Sequence, residues 1–273
     1  TIEESAGLFN IGLEGILLFG ALAGALGAQA SGSALVGLLT GMGVGALIGL
    51  VFGTISTSLR GSQLISGVGI NLLALGFVAL MLSVMGAPGF HSVAREVQVP
   101  LIPLGVGNLS PLVPITVAIA IGVWWLLRRT QLGIWIRAVG ENPAAADVAG
   151  IRVNRVRLGA AVAAGVLAGL AGAYLSIDWF GAVTKEITAG RGFIALAIVG
   201  FSGLNPLLAL LGGFIFGFFD GLATWVATYP GIKDIIPWQF VAMMPYVVTL
   251  AVVAGMIGRV RFPSALGVPY LRE

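Results

Sequence analysis

The run Ala34-Leu-Val-Gly-Leu-Leu-Thr-Gly-Met-Gly-Val-Gly-Ala-Leu-Ile-Gly-Leu-Val-Phe-Gly-Thr-Ile-Ser-Thr-Ser-Leu59 contains no charged residue. About 18 helical residues cross the ~30 Å of a bilayer's hydrocarbon, so a stretch of this length reads as a transmembrane helix. Further apolar segments flank it at Leu8–Ala30, Leu64–Gly86, Leu112–Leu127, Leu158–Ile177, Phe193–Leu204, Leu207–Thr228 and Trp238–Gly258. They predict an all-α fold, a polytopic transmembrane helical bundle of about eight spans, as a single transmembrane domain over residues 1–273. Phe193–Leu204 is too short to span and reads as a broken or re-entrant helix, which is tolerated where protein or a water-filled cavity surrounds it.

Composition agrees with this reading. Hydrophobic residues make up 58% of the chain and charged ones 9%, with a mean hydropathy of +1.04. Soluble domains carry about 25% charged residues because their surfaces are wetted, so most of this surface faces lipid. The 42 glycines predict close helix packing, since small residues let helix backbones approach within a membrane. The sequence has no cysteine and a single histidine, His91, which removes thiolate and histidine-cluster metal sites and cysteine nucleophiles. No catalytic residue, metal site or nucleic-acid partner is therefore expected. The formal charge of +3 comes from arginines gathered in a few loops rather than from a basic face interleaved with aromatics.

Those loops predict an orientation. Residues 128–157 carry Arg128, Arg129, Arg137, Arg152, Arg155 and Arg157 against Glu141 and Asp147, and arginine-rich short loops remain in the cytoplasm. Alternation then places Arg60 and a C-terminus with Arg259, Arg261 and Arg272 on the same side. It places Ala87–Ser110, Trp179–Gly190 and Tyr229–Pro237 outside. Trp124, Trp125, Trp179 and Trp238 fall near span ends, where tryptophan anchors to the interface. Thr1–Asn10 lacks the basic start of a signal peptide, so none is expected.

Within the inside loop, Arg137-Ala-Val-Gly-Glu-Asn-Pro-Ala-Ala-Ala-Asp-Val-Ala-Gly-Ile151 predicts a small complete helix. Asn142 caps it, Pro143 suits the first position, Ala144, Ala145 and Ala146 propagate it, and Gly150 permits a left-handed stop. Two turns are marginal in water, so something else must hold the helix. Its surface would be methyl groups from these alanines, Val148 and Ala149, with Glu141 and Asp147 at the edge. Two readings stand: a peg for a partner's groove, or an amphipathic connector under its own bundle.

Ionisable groups at membrane depth cost a few kcal/mol on insertion scales and need a partner or a watery cavity. Glu14, with the Asn10 amide, either lines a polar pathway or satisfies backbone freed by the paired glycines of Asn10-Ile-Gly-Leu-Glu-Gly15. Asp220 and the adjacent Phe219 are candidates for a base or sugar, against lipid contact or core packing. Asn71 and Gln63 bond either a sugar hydroxyl or another helix. On the outer side Asp178, Lys185, Glu186 and Arg191 dock a partner or pair at the interface, and Arg191 is placed to anchor a half-helix.

Several motifs resemble one family. They are Ser5-Ala-Gly-Leu-Phe-Asn-Ile-Gly-Leu-Glu-Gly15, Gln63-Leu-Ile-Ser-Gly67 with Asn71, the Arg137–Ile151 stretch, Thr188-Ala-Gly-Arg-Gly-Phe-Ile-Ala-Leu-Ala197, Asn205-Pro206 and the tail Ala265–Glu273. Their order resembles the permeases of ATP-binding cassette importers for simple sugars, branched-chain amino acids and nucleosides, most of all the nucleoside branch. The resemblance implies an inner-membrane subunit that imports nucleosides or related sugars beside a second permease subunit, an ATPase and an extracytoplasmic substrate-binding lipoprotein. It also implies that Glu141, Asn142, Pro143, Ala144, Ala145, Ala146, Asp147, Ala149 and Gly150 form the coupling helix to that ATPase. Asn10, Glu14, Asn71, Phe219 and Asp220 are the substrate-pathway candidates. No cofactor is expected in this chain; ATP and Mg belong to the partner, as no Gly-x-x-x-x-Gly-Lys-Ser/Thr loop is present. A helix ahead of Ser5 is usual in the family, and Ser202-Gly-Leu204 departs from its pattern. The rival is an ion-coupled secondary carrier, which needs paired broken helices in two halves. An intramembrane enzyme fits less well, because the acids are scattered.

Overall fold

The computed structural model describes residues 1–87, 89–103, 108–228, 239–244, 246–247 and 262–270. Six helices among these are long and apolar enough to cross a membrane. They are α2 (Leu13–Ser31), α3 (Ala34–Thr57), α4 (Gln63–Val84), α5 (Leu112–Arg129), α8 (Val153–Tyr174, continued by a π-turn to Trp179) and α10 (Pro206–Thr228). Shorter helices are α1 (Ile2–Ser5), α6 (Gln131–Glu141), α7 (Pro143–Val148) and α9 (Arg191–Phe201).

The expected eight spans thus become six among the described residues. Leu8–Gly12 is not helical and α2 starts only at Leu13, after Gly12. The sixth segment forms α9, whose 11 residues cover roughly half a bilayer at 1.5 Å per residue. The expected Trp238–Gly258 span lies for the most part outside the described residues. The fold also departs from all-α in the loops. Phe90–Ser92 (β1) pairs antiparallel with Ala182–Thr184 (β4), and Ile102–Pro103 (β2) with Asn108–Leu109 (β3). Loop backbone next to apolar helices must still be hydrogen-bonded, and these two ribbons do part of that.

The chain divides into two compact units, Ile2–Leu196 with Pro263–Glu273, and Thr1 with Ala197–Phe262. In the first, α2, α3 and α8 pack backbone to backbone. Gly37, Gly41, Gly45, Gly49 and Gly53 recur every fourth residue and form the buried face of α3, while Leu35, Leu39, Leu47 and Leu50 point outward. A Cβ on Gly45 would lie 2.2 Å from the Gly165 carbonyl oxygen, and one on Gly169 2.2 Å from that of Gly41. At these glycines backbone meets backbone, as the glycine content predicts. In the second unit Gly212 of α10 lies against Ile198, and Phe216 meets Tyr246 edge-on at 6.5 Å.

Gly169→Val is therefore expected to push α3 and α8 apart, at about 1–3 kcal/mol for overpacking. The midpoint of thermal unfolding in detergent should fall by roughly 2–6 °C. Gly43→Val, on an open face of α3 with nothing within 4 Å, should leave it unchanged. Equal behaviour of the two variants would remove the seam as a stabilising feature.

Candidate functional site: a braced helix at the arginine-bearing end

Two short helices follow α5 at the end of the bundle that carries Arg128 and Arg129. Thr130 caps α6, accepting a bond from the Gly133 amide at 3.2 Å, and α6 runs to Glu141. Asn142 then breaks the helix with an extended backbone, and its side-chain oxygen accepts from the Ala145 amide at 3.0 Å to start α7. Pro143 opens the helix, and Gly150 at φ +86° ends it, with the Ile151 amide donating back to the Ala146 carbonyl at 3.0 Å. This is the small helix predicted from the sequence, residue for residue.

One face of α7 is anchored and the other is bare. Ala146 is buried against Val139 and Val153, flanked by Tyr270. Glu141, Asn142, Ala144, Ala145, Ala149 and Gly150 are exposed, Pro143 and Asp147 are half-buried, and Val148 is 92% exposed. A fully exposed valine on a surface of methyl groups is an apolar contact patch.

The anchoring comes from chain segments far apart in sequence. Ser264 donates to the Glu141 carboxylate at 2.7 Å, and the Tyr270 hydroxyl donates to that of Asp147 at 3.1 Å. The Ala265 amide donates to the Gly140 carbonyl, and the Gly267 amide to that of Gly7, both at 3.0 Å. Beneath them Arg157, 1% exposed, spreads its guanidinium over three carbonyls, with Nε to Ala6 at 3.2 Å, Nη1 to Val268 at 2.9 Å and Nη2 to Ala265 at 3.4 Å. One side chain thus joins the N-terminal segment, the C-terminal tail and the start of α8. Sequence reading counted Arg157 only as a loop charge. The signal that could have separated it is its spacing: Arg157, Ala161, Gly165 and Gly169 recur every fourth residue, and all four are buried.

The polar residues expected near the pathway gather at the unwound stretch Leu8–Gly12. Gln63 accepts from the Phe9 amide at 2.7 Å, and Asn10 accepts from the Gly12 amide at 2.8 Å while donating to Glu3 at 3.3 Å. Asn71 donates to the Ile11 carbonyl at 3.0 Å and accepts from the Gly15 amide at 2.8 Å. The Glu14 carboxylate accepts from the Gly190 amide at 2.8 Å and the Gly192 amide at 2.6 Å, which fastens the loop before α9 to the first turn of α2. Asn10 and Glu14 thus bond backbone groups around the break, and Asn71 joins α4 to it. Burial beside Glu4 pushes the Glu3 carboxyl well above its usual range, with burial the larger cause. Its second oxygen has no hydrogen-bond partner among the described residues.

Phe219 and Asp220 sit half-buried on α10 in the other unit, with the Phe218 and Phe219 rings in edge contact at 5.6 Å. Arg191 opens α9, lies 5.4 Å from the centre of the Phe180 ring and donates to the Ile187 carbonyl at 3.3 Å. Asp178 accepts from Ser110, while Lys185 and Glu186 are exposed.

Comparison with known proteins places this architecture. Residues 1–257 match the family model described as the permease component of branched-chain amino acid transport systems. A nucleoside ABC transporter permease protein of Lactococcus lactis is 33% identical, over 99% of this chain and 90% of its own length. A guanosine ABC transporter permease protein of Bacillus subtilis is 34% identical over the same shares. A putative glucose ABC transporter permease protein of Haloferax volcanii is 31% identical over 100% of this chain and 92% of its own length. No solved structure matches.

Proposed function

The chain belongs to the permease-component family of branched-chain amino acid transport systems, and from that membership we propose that it is a membrane subunit of an ATP-driven importer of nucleosides or related simple sugars. Transport is its family's role, and its apolar helices make it a multi-pass membrane protein. The substrate class follows from the nucleoside and guanosine permeases that it resembles over nearly its full length.

In this reading α7 is the coupling helix, received by a cleft of a separate ATPase that carries ATP and Mg. The observation that carries it is the asymmetry of α7, with Ala146 buried and clamped and Val148, Ala145 and Ala149 bare. A connector lying under its own bundle would turn its apolar side inward; this helix turns most of it outward. The rigid brace supports the same reading, because a peg transmits displacement only if its base does not yield. A second permease subunit and an extracytoplasmic binding lipoprotein complete the assembly. The arginine-bearing end, with the C-terminus, then faces the cytoplasm and its ATPase. Asn10, Glu14 and Asn71 would shape the broken helix beside the pathway rather than grip the solute. Phe219 and Asp220 remain the candidates for direct contact with it.

The test is uptake of radiolabelled guanosine into vesicles holding the reconstituted subunits, with Ala145→Arg and Ala149→Arg as variants. Both substitutions lie on the exposed face, so folding should survive. ATP-dependent uptake is expected to fall at least tenfold, because a long charged side chain cannot enter a cleft fitted to methyl groups. Uptake equal to the unsubstituted protein would remove α7 from the coupling role.

A further inference from the structure

Two cavities meet at the residues joining α7 to α8, and they differ in kind. The first, of about 540 Å³, is lined by Arg60, Arg152 and Arg155 with Thr57, Ser58 and Asn154; the acid on its wall is Asp147, whose carboxylate already accepts from Tyr270. The second, of about 670 Å³, is lined by Leu126, Leu132, Trp135, Ile136, Val156 and Ala160. Gly150, Arg152 and Arg155 belong to both walls.

We propose that this double cavity is a binding site for an anionic phospholipid, with Arg152 and Arg155 holding the phosphate and an acyl chain lying in the apolar compartment. The location suits such a ligand. Thr57 ends α3, Arg129 ends α5 and Val153 begins α8, so the arginines stand where spans leave the hydrocarbon and headgroup phosphates lie. Three guanidiniums against one engaged carboxylate make the polar compartment an anion site, and Arg grips phosphate oxygens with two parallel donors. The start of α8 adds to this, since its cap residue, Arg152, makes no side-chain capping bond and leaves the positive end of the helix facing the same space. A free phosphate would satisfy the arginines but leave the neighbouring cavity empty. A purely apolar occupant would leave the arginines unanswered. A diacyl lipid with a charged headgroup satisfies both. The apolar side is built partly by α6, whose Leu132, Ile134 and Trp135 are exposed and whose tryptophan suits the interface. The site rests on the membrane placement of the helices and not on the coupling role of α7.

Trp135 reports directly on the apolar compartment. The full chain would be reconstituted in phosphatidylcholine vesicles containing bromine-labelled phosphatidylglycerol or, at the same mole fraction, bromine-labelled phosphatidylcholine. The signal of the Trp135→Phe variant is subtracted to isolate Trp135. The expected result is quenching by phosphatidylglycerol with an apparent affinity roughly tenfold above that of phosphatidylcholine. The ratio should fall to about one in Arg152→Gln/Arg155→Gln and be largely retained in Arg152→Lys/Arg155→Lys, which keeps the charge and guards against misfolding of the glutamine variant. Equal quenching by both lipids, or a preference that survives the glutamine pair, would overturn the site. Loss of the preference on adding soluble glycerol phosphate would overturn it in favour of a free-anion pocket. Absence of quenching by either lipid would likewise overturn it, because no acyl chain would then lie beside Trp135.

Discussion

Arg157→Met is expected to lower the unfolding temperature more than any surface change and to reduce ATP-dependent uptake to near background. The substitution keeps an unbranched apolar stem, shorter than arginine's, but strips donors from three carbonyls at once, Ala6, Ala265 and Val268. A buried acceptor left without a donor costs about 1–3 kcal/mol. The Ala265 carbonyl keeps the Val268 amide at 3.2 Å, so Ala6 and Val268 are the two left without a donor, and even half the sum of those two is a sizeable part of a typical folding free energy of roughly 5–15 kcal/mol. The loss also frees the tail that fixes Glu141 and Asp147 on either side of α7. Arg157→Lys keeps one charge without the planar fork and should lie between the two. Thermal unfolding in detergent, run beside vesicle uptake, separates instability from lost coupling. If the methionine variant unfolded and transported like the parent, the brace would be incidental.

The second large effect is expected at Glu14. Its two oxygens each accept a backbone amide, from Gly190 and Gly192, on either side of Arg191. Glu14→Gln replaces one oxygen with an NH2 group that faces an N–H donor, so one bond is lost outright and the other loses its charge. Hydrogen bonds to charged groups contribute about 1.5–3 kcal/mol each. The amides of Gly190 and Gly192 should then exchange hydrogen for deuterium on the order of 100-fold faster, the equivalent of about 2.8 kcal/mol. Exchange in α3, far along the chain from this contact, should not change. Unaltered protection at Gly190 and Gly192 would show that the loop is held by other means.

Much of this was readable from one dimension. A charge-free run of membrane length has few other uses, so α2, α3, α4, α5, α8 and α10 follow from hydropathy. Asn142, Pro143 and Gly150 each hold one backbone requirement of a short helix, and local requirements are visible locally. The errors have a common origin. The break at Leu8–Gly12 is apolar apart from Asn10, so hydropathy runs through it; the paired glycines hint at it, but its extent is set by Gln63 and Asn71, more than fifty residues away. The ribbon of Phe90–Ser92 with Ala182–Thr184 joins segments ninety residues apart and has no alternating pattern long enough to notice. Arg157 was counted by its charge, whereas its role comes from its neighbours on the helix face and from a tail over one hundred residues downstream. Of the pathway candidates, Asn10, Glu14 and Asn71 hydrogen-bond to backbone around the break, and those of Glu14 and Asn71 are partners that only the folded chain brings within reach.

The glycine seam has a mechanical corollary. Where two rods touch main chain to main chain, no rotamers lie between them to be reshuffled, and close-packed interiors deform in steps rather than smoothly. The trio α2, α3 and α8 should consequently ride as a single plate through whatever cycle the transporter runs. A spin-label pair spanning Gly43 and Gly159 would hold one distance across the whole cycle.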